Sequence, residues 1–179
     1  MKKILAAFVG SMALASAPLA LAADATKELK MAYDADPVTL DIHEQLSGGI
    51  LQLSHMTFDP LLRWTKDLGF EPRLAESWER VDDKTMRFKL REGVKFHSGN
   101  ELTTADVKFT FERLKESQDF KAIFKPFSAI NVIDDYTFEL VTSEPYPLLL
   151  NTATYIFPLD SEFYSGQTED GKDKDAILK

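Results

Sequence analysis

Apolar residues recur every second position in four stretches of this chain and every third or fourth position in two others. Glu28 to Tyr33 places Leu29, Met31 and Tyr33 on one side, which predicts a strand. After the turn or connector around Asp36-Pro37, Ile50, Leu51, Leu53 and Phe58 fit one helical face, and Asp59-Pro60 ends that helix. Leu61 to Trp64 then reads as a strand. Trp78 to Val81 and Thr85 to Leu90 flank the polar Asp82-Asp83-Lys84, the pattern of a hairpin. Met86, Phe88 and Leu90 face one way, while Thr85, Arg87, Lys89 and Arg91 face the other. Val94 and Phe96 are expected to continue the alternation.

Thr103, with Asp106 three residues on, predicts a capped helix carrying Val107, Phe111 and Leu114 at helical spacing as far as about Glu116. A short aromatic segment (Phe120, Phe124, Phe127) leads to a second hairpin, Ile130 to Ile133 and Tyr136 to Thr142, around Asp134-Asp135. Pro145-Tyr146-Pro147 is a stiff connector to Leu148-Leu149-Leu150, and the chain turns polar from Asp160. The sum is an α+β fold with mainly antiparallel hairpins.

The start of the chain has a different character. Lys2 and Lys3 precede an uncharged run from Ile4 to Ala23, broken by Pro18 and ending in Ala20-Leu21-Ala22. This is the pattern of a cleaved signal peptide over residues 1–22, and its Ala, Ser, Gly and Pro content argues against a membrane-spanning helix. Cleavage removes two Lys and no acid, so a chain of formal charge −8 becomes more acidic still. That balance disfavours nucleic acid as a partner. With no cysteine, a disulfide scaffold, a thiolate metal site and a lipidated cysteine are all excluded. The expectation is a periplasmic protein, not a lipoprotein.

Candidate catalytic chemistry is sparse. Ser47-Gly48-Gly49 lacks the spacing and the Lys of a phosphate loop, and no Gly-x-Ser-x-Gly elbow occurs. His43, His55 and His97 do not have zinc-ligand spacing, so no metal and no cofactor are expected. The Asp pairs belong to turns, where Asp satisfies local backbone amides. Most aromatic rings read as core; Trp64 and Tyr155 are the ones singled out as possible lining of a ligand cleft. On these residues alone, a secreted hydrolase with a dispersed triad and a non-catalytic interaction module stay open.

Leu74 to Asn100 reads LAESWERVDDKTMRFKLREGVKFHSGN, and Leu102 to Leu114 reads LTTADVKFTFERL. This ordered string resembles the signature region of family 5 extracellular solute-binding proteins, the peptide/nickel type that serves ABC importers. Val38-Thr39-Leu40-Asp41, Phe58-Asp59-Pro60-Leu61 and Pro145-Tyr146-Pro147 extend the resemblance over residues 28 to 165.

The resemblance implies a periplasmic-binding-protein type II-like fold that closes on its ligand by a hinge. Residues 23–57 would begin the main subdomain of the first lobe, 58–155 a smaller, mainly antiparallel inserted subdomain, and 156–179 a truncated return segment. The second lobe would be absent, making the chain a fragment at most weakly competent to bind. The implied role is non-enzymatic delivery of a solute, above all a peptide, to an ABC transporter permease complex, with the protein as a monomer. By position, Leu46, Ser47, Gly48 and Gly49 resemble the part that reaches the cleft, where glycines allow close backbone approach and helix-start amides meet a polar ligand. Thr154 and Tyr155 form a second expected ligand-contacting segment.

Overall fold

The computed structural model describes residue Thr39 and residues 41–166. The signal peptide, the strand expected at Glu28 to Tyr33 and the charged segment from residue 167 lie outside the described residues. Helix α1 (Gly48–Thr57) starts where Ser47 caps it and stops one residue before Phe58, whose backbone N–H still reaches the Ser54 carbonyl. The face it buries carries Ile50 and Ser54, so Phe58 is a cap and not part of the helical stripe.

Strand β1 (Leu62–Trp64) pairs antiparallel with β2 (Phe70–Pro72), an element that periodicity did not predict. Three residues are too few to show alternation. The hairpin is set instead by its turn, in which Thr65 accepts the Gly69 N–H on Oγ1 (3.0 Å) and Leu68 takes a left-handed φ of 62°. Trp64 packs on Phe70 across the pair, ring centres 4.6 Å apart.

Strands β3 (Ala75–Arg80) and β4 (Thr85–Leu90) form the first expected hairpin, and Asp82 Oδ1 accepts the Lys84 N–H in its turn. Val94 and Phe96 do not extend a strand. Their segment is a loop with a single bridge, Lys95 to Glu101, turned by Gly93 and Gly99 at φ 72° and 96°. Both glycines sit where a side chain is disfavoured.

Helix α2 (Thr104–Glu116) begins in a complete capping box: Thr103 caps the first turn, and Asp106 Oδ2 accepts the Thr103 N–H at 2.8 Å. Its apolar stripe of Val107, Phe111 and Leu114 is buried, as the spacing predicts. Thr103→Ala is expected to lower folding stability by about 1 kcal/mol, because orphan amides of the first turn lose their acceptor. Chemical denaturation of the variant checks this, and an unchanged midpoint would contradict it.

The aromatic segment folds into the one-turn α3 (Lys121–Phe124) and enters β5 (Phe127–Val132), which returns through the Asp134-Asp135 turn as β6 (Thr137–Thr142). All pairings are antiparallel, and the order is β3-β4-β6-β5. The two hairpins therefore join through their second strands, with α2 and α3 supplying the connection. Met86, Phe88, Leu90, Phe138 and Leu140 bury one face of the sheet in a cluster with α2 and with Phe120, Phe124 and Phe127. The opposite face is polar. Arg87 bridges Glu139 (2.8 Å) and Glu79 (3.1 Å), and Lys89 bridges Glu76 (2.8 Å). A half-solvated antiparallel sheet has this division.

After the Pro145-Tyr146-Pro147 connector come α4 (Leu149–Ala153) and α5 (Ser161–Tyr164), the latter capped by Asp160. Between them Phe157 and Leu159 meet Ile42 in a second small apolar cluster. Entry and exit of the described chain thus come together beside α2.

Candidate functional site

The segment ahead of α1 is held at intervals by one end of α2. Asp41 meets the Arg113 guanidinium through two bonds, Nη1 to Oδ1 at 2.9 Å and Nη2 to Oδ2, and both side chains are almost fully buried. Ser117, the residue that closes α2, donates its hydroxyl to the His43 carbonyl at 2.6 Å. Asp119 Oδ2 then accepts the Leu46 N–H at 2.8 Å. The His43 ring sits edge-on to Phe120, with centres 6.4 Å apart.

Leu46 therefore arrives at the start of α1 in a fixed place. Ser47 Oγ accepts the Ile50 N–H at 3.4 Å, a long N-cap bond. Gly48 and Gly49 follow in the first turn and are exposed. That turn carries no acidic side chain to offset the positive helix end. A Cβ built on Gly48 would meet nothing within 4 Å, so the packing of this chain does not require glycine there.

Of the other expected site residues, Tyr155 packs edge-on to Phe120, with centres 6.2 Å apart. Leu46 and Tyr155 thus flank the same Asp119-Phe120 turn, although 109 positions separate them in the sequence. Thr154 is buried, and its hydroxyl donates to the Asn151 carbonyl at 2.7 Å as part of the end of α4. Trp64 lies on the β1–β2 hairpin against Phe70 and is partly exposed.

A cavity of about 570 Å³ lies elsewhere. It opens at the opposite end of α1, lined by Phe58, Phe96, Leu159 and Tyr164, with Asp160 on its polar side. Burial would raise the pKa of Asp160, but bonds from the Ser98 hydroxyl, the Phe163 N–H and the Asn100 amide outweigh it and hold the carboxyl below its usual range. The carboxylate is committed to tying the Gly99 turn to α5. The Leu46–Gly49 segment lies at the other end of α1 from this cavity.

On α1 itself, His55 has its pKa lowered, first by burial and then by the positive charges of Arg63 and Arg73. Its ring stands edge-on to Phe157, with centres 5.0 Å apart.

Comparison with known proteins fits this architecture. The profile of bacterial extracellular solute-binding proteins, family 5 Middle, matches residues 69–178, more than half of the chain. The chain belongs to that family. YhjP of Bacillus subtilis (strain 168) is 38% identical over 95 residues, 51% of this chain and 16% of its own length. The glutathione-binding protein GsiB of Escherichia coli (strain K12) is 26% identical over 145 residues, 79% of this chain and 28% of its own. Among solved structures, the periplasmic binding protein AgaA of A. tumefaciens R10, in complex with agropinic acid, superposes with a TM-score of 0.67 at 27% identity. That match covers 73% of this chain and 28% of AgaA. The chain thus spans well under a third of these relatives. The mixed helix and antiparallel sheet described above is a part of the periplasmic-binding-protein fold.

The residues that fix the Leu46–Gly49 segment (Asp41, Arg113, Ser117 and Asp119) were not singled out from the sequence. Asp41 and Arg113 each lay inside a stretch that carries the resemblance, Val38-Thr39-Leu40-Asp41 and the ADVKFTFER run of residues 105–113. Nothing local pairs the two, because 72 positions separate Asp41 from Arg113.

Proposed function

We propose that this chain supplies first-lobe elements of a periplasmic solute-binding component that delivers its cargo to an ABC importer, with short peptides as that cargo. The observation that carries the reading is the exposed, glycine-bearing start of α1. It is held in place by the Leu46–Asp119 bond, and it occurs in a chain of family 5. Free amides at a helix start suit a carboxylate or a peptide carbonyl. The glutathione that GsiB binds and the agropinic acid bound to AgaA show that relatives take small polar solutes. Tyr155, on the far side of the Asp119-Phe120 turn, offers a ring to pack on such a ligand. Binding is a matter of contacts here and requires no catalytic group, metal or cofactor.

One face of a cleft provides only part of the contacts of a closed site, so the chain by itself is expected to bind tri-alanine weakly, in the millimolar range. Gly48→Ala separates ligand approach from folding. The added methyl group meets nothing within the chain, and Ala is the better helix former by up to about 1 kcal/mol. In an NMR titration of residues 23–179 with tri-alanine, the Leu46–Gly49 amides are expected to shift. Gly48→Ala should weaken that binding at least threefold with no loss of thermal stability. Equal affinity in the variant, or shifts confined to other segments, would remove these residues from the site. Micromolar binding by residues 23–179 alone would overturn the view that the chain is an incomplete binding unit.

A further inference from the structure

Beside the apolar stripe of α2 runs a second one. Asp106, Thr110 and Arg113 follow at i, i+4 and i+7, and all three are buried, with exposures of 5%, 0% and 5%. Buried polar side chains at helical spacing are uncommon unless each is partnered, and here each is. Asp106 Oδ1 accepts both the N–H and the hydroxyl of Ser161, at 2.8 and 2.7 Å. Thr110 Oγ1 accepts the Leu159 N–H at 2.8 Å. Arg113 holds Asp41 in the two-bonded pair. The partners come from two distant stretches, one entering before α1 and one leaving after α4.

We propose that Asp106, Thr110 and Arg113 are positioning residues: one rigid helix fixes the entering segment at Asp41 and the leaving segment at Leu159 and Ser161. Seven residues of helix rise about 10 Å, so the attachments are spread along a line and resist twisting as well as sliding. Apolar burial alone is non-directional and would leave the register of these segments free. Hydrogen bonds with fixed geometry specify it. The same helix thereby sets where the Leu46–Gly49 segment stands, an extension that rests on the ligand-facing reading proposed above. It also gives the Asp, Thr and Arg of the ADVKFTFER run, residues 105–113, a common task on one helical face.

Thr110 allows the cleanest test. Thr110→Val keeps the shape and removes the acceptor, whereas Thr110→Ser keeps the hydroxyl. Amide hydrogen exchange is measured on the full chain, without ligand. The expected result for Thr110→Val is at least tenfold faster exchange at Leu159, with the Met86, Phe88 and Leu140 amides changed less than twofold. Thr110→Ser should restore protection of Leu159 to within threefold of the parent. In a second arm, Asp41→Asn should speed exchange over residues 41–49 and leave the sheet unchanged. Uniform acceleration across the sheet and both segments, or no change at Leu159 in Thr110→Val, would overturn the proposal. Failure of Thr110→Ser to restore protection would overturn it as well. Because exchange is read without ligand, failure here leaves the tri-alanine result standing, and the reverse also holds.

Discussion

Replacing Arg113 with Met is expected to destabilise the fold by about 3–5 kcal/mol, since it strands the buried Asp41 carboxylate without its cation. The two side chains retain only 3% and 2% of their exposure, so water cannot replace the lost partner unless the entering segment detaches. The comparison is with Arg87→Met on the outer face of the sheet. There the Arg87 side chain is 39% exposed, its partner Glu79 is exposed and its partner Glu139 only partly buried. That change should cost about 1 kcal/mol or less, as surface pairs do. Pairing Arg113→Met with Asp41→Leu should recover most of the loss, because burying neither charge is cheaper than burying one. Urea denaturation of the three variants measures all these values. An Arg113→Met loss no larger than that of Arg87→Met would show that the pair is solvated in solution.

Phe88→Ala should destabilise by about 3–5 kcal/mol, the range for an emptied aromatic site in a close-packed core. Phe88 is fully buried on β4, an inner strand of the sheet. Its ring stacks on Phe138 of β6, with centres 5.3 Å apart and planes 11° from parallel. Trp78 is its register partner on β3. Three strands thus converge on one ring, and none can move inward without breaking ladder bonds. Val132→Ala, on edge strand β5 and 48% exposed, should change stability by about 0.5 kcal/mol or less. Thermal and urea melts distinguish the two. Equal losses would mean that the alternation of Met86, Phe88 and Leu90 does not mark the core.

The candidate site was legible only in part. Ser47 as a cap and the glycines after it are local features, since a capping side chain acts within three residues of itself. What holds that cap in place is not local. The Leu46–Asp119 and His43–Ser117 bonds span 73 and 74 positions, and no pattern of neighbouring residues encodes such a distance. Tyr155 was marked by its chemistry, but its packing on Phe120 follows from where α3 places that ring.

Apart from Phe58, which is a cap, and the Val94–Phe96 loop, rules that act over a few residues let the sequence by itself determine the outcome. Examples are the inward face of β4, the apolar stripe of α2, the Thr103–Asp106 box and the two Asp-centred turns. The ordered LAESW to FERL string likewise marked the family. Tertiary structure alone decided that the hairpins join β4 to β6 and that Asp160 ties a loop to a helix some 60 residues away. It also buried the Asp106, Thr110 and Arg113 stripe of α2. The reason is the same in each case: periodicity says which face of an element is apolar, but not which other surface that face meets. That choice depends on strand edges, loop lengths and buried partners that become neighbours only when the chain is folded.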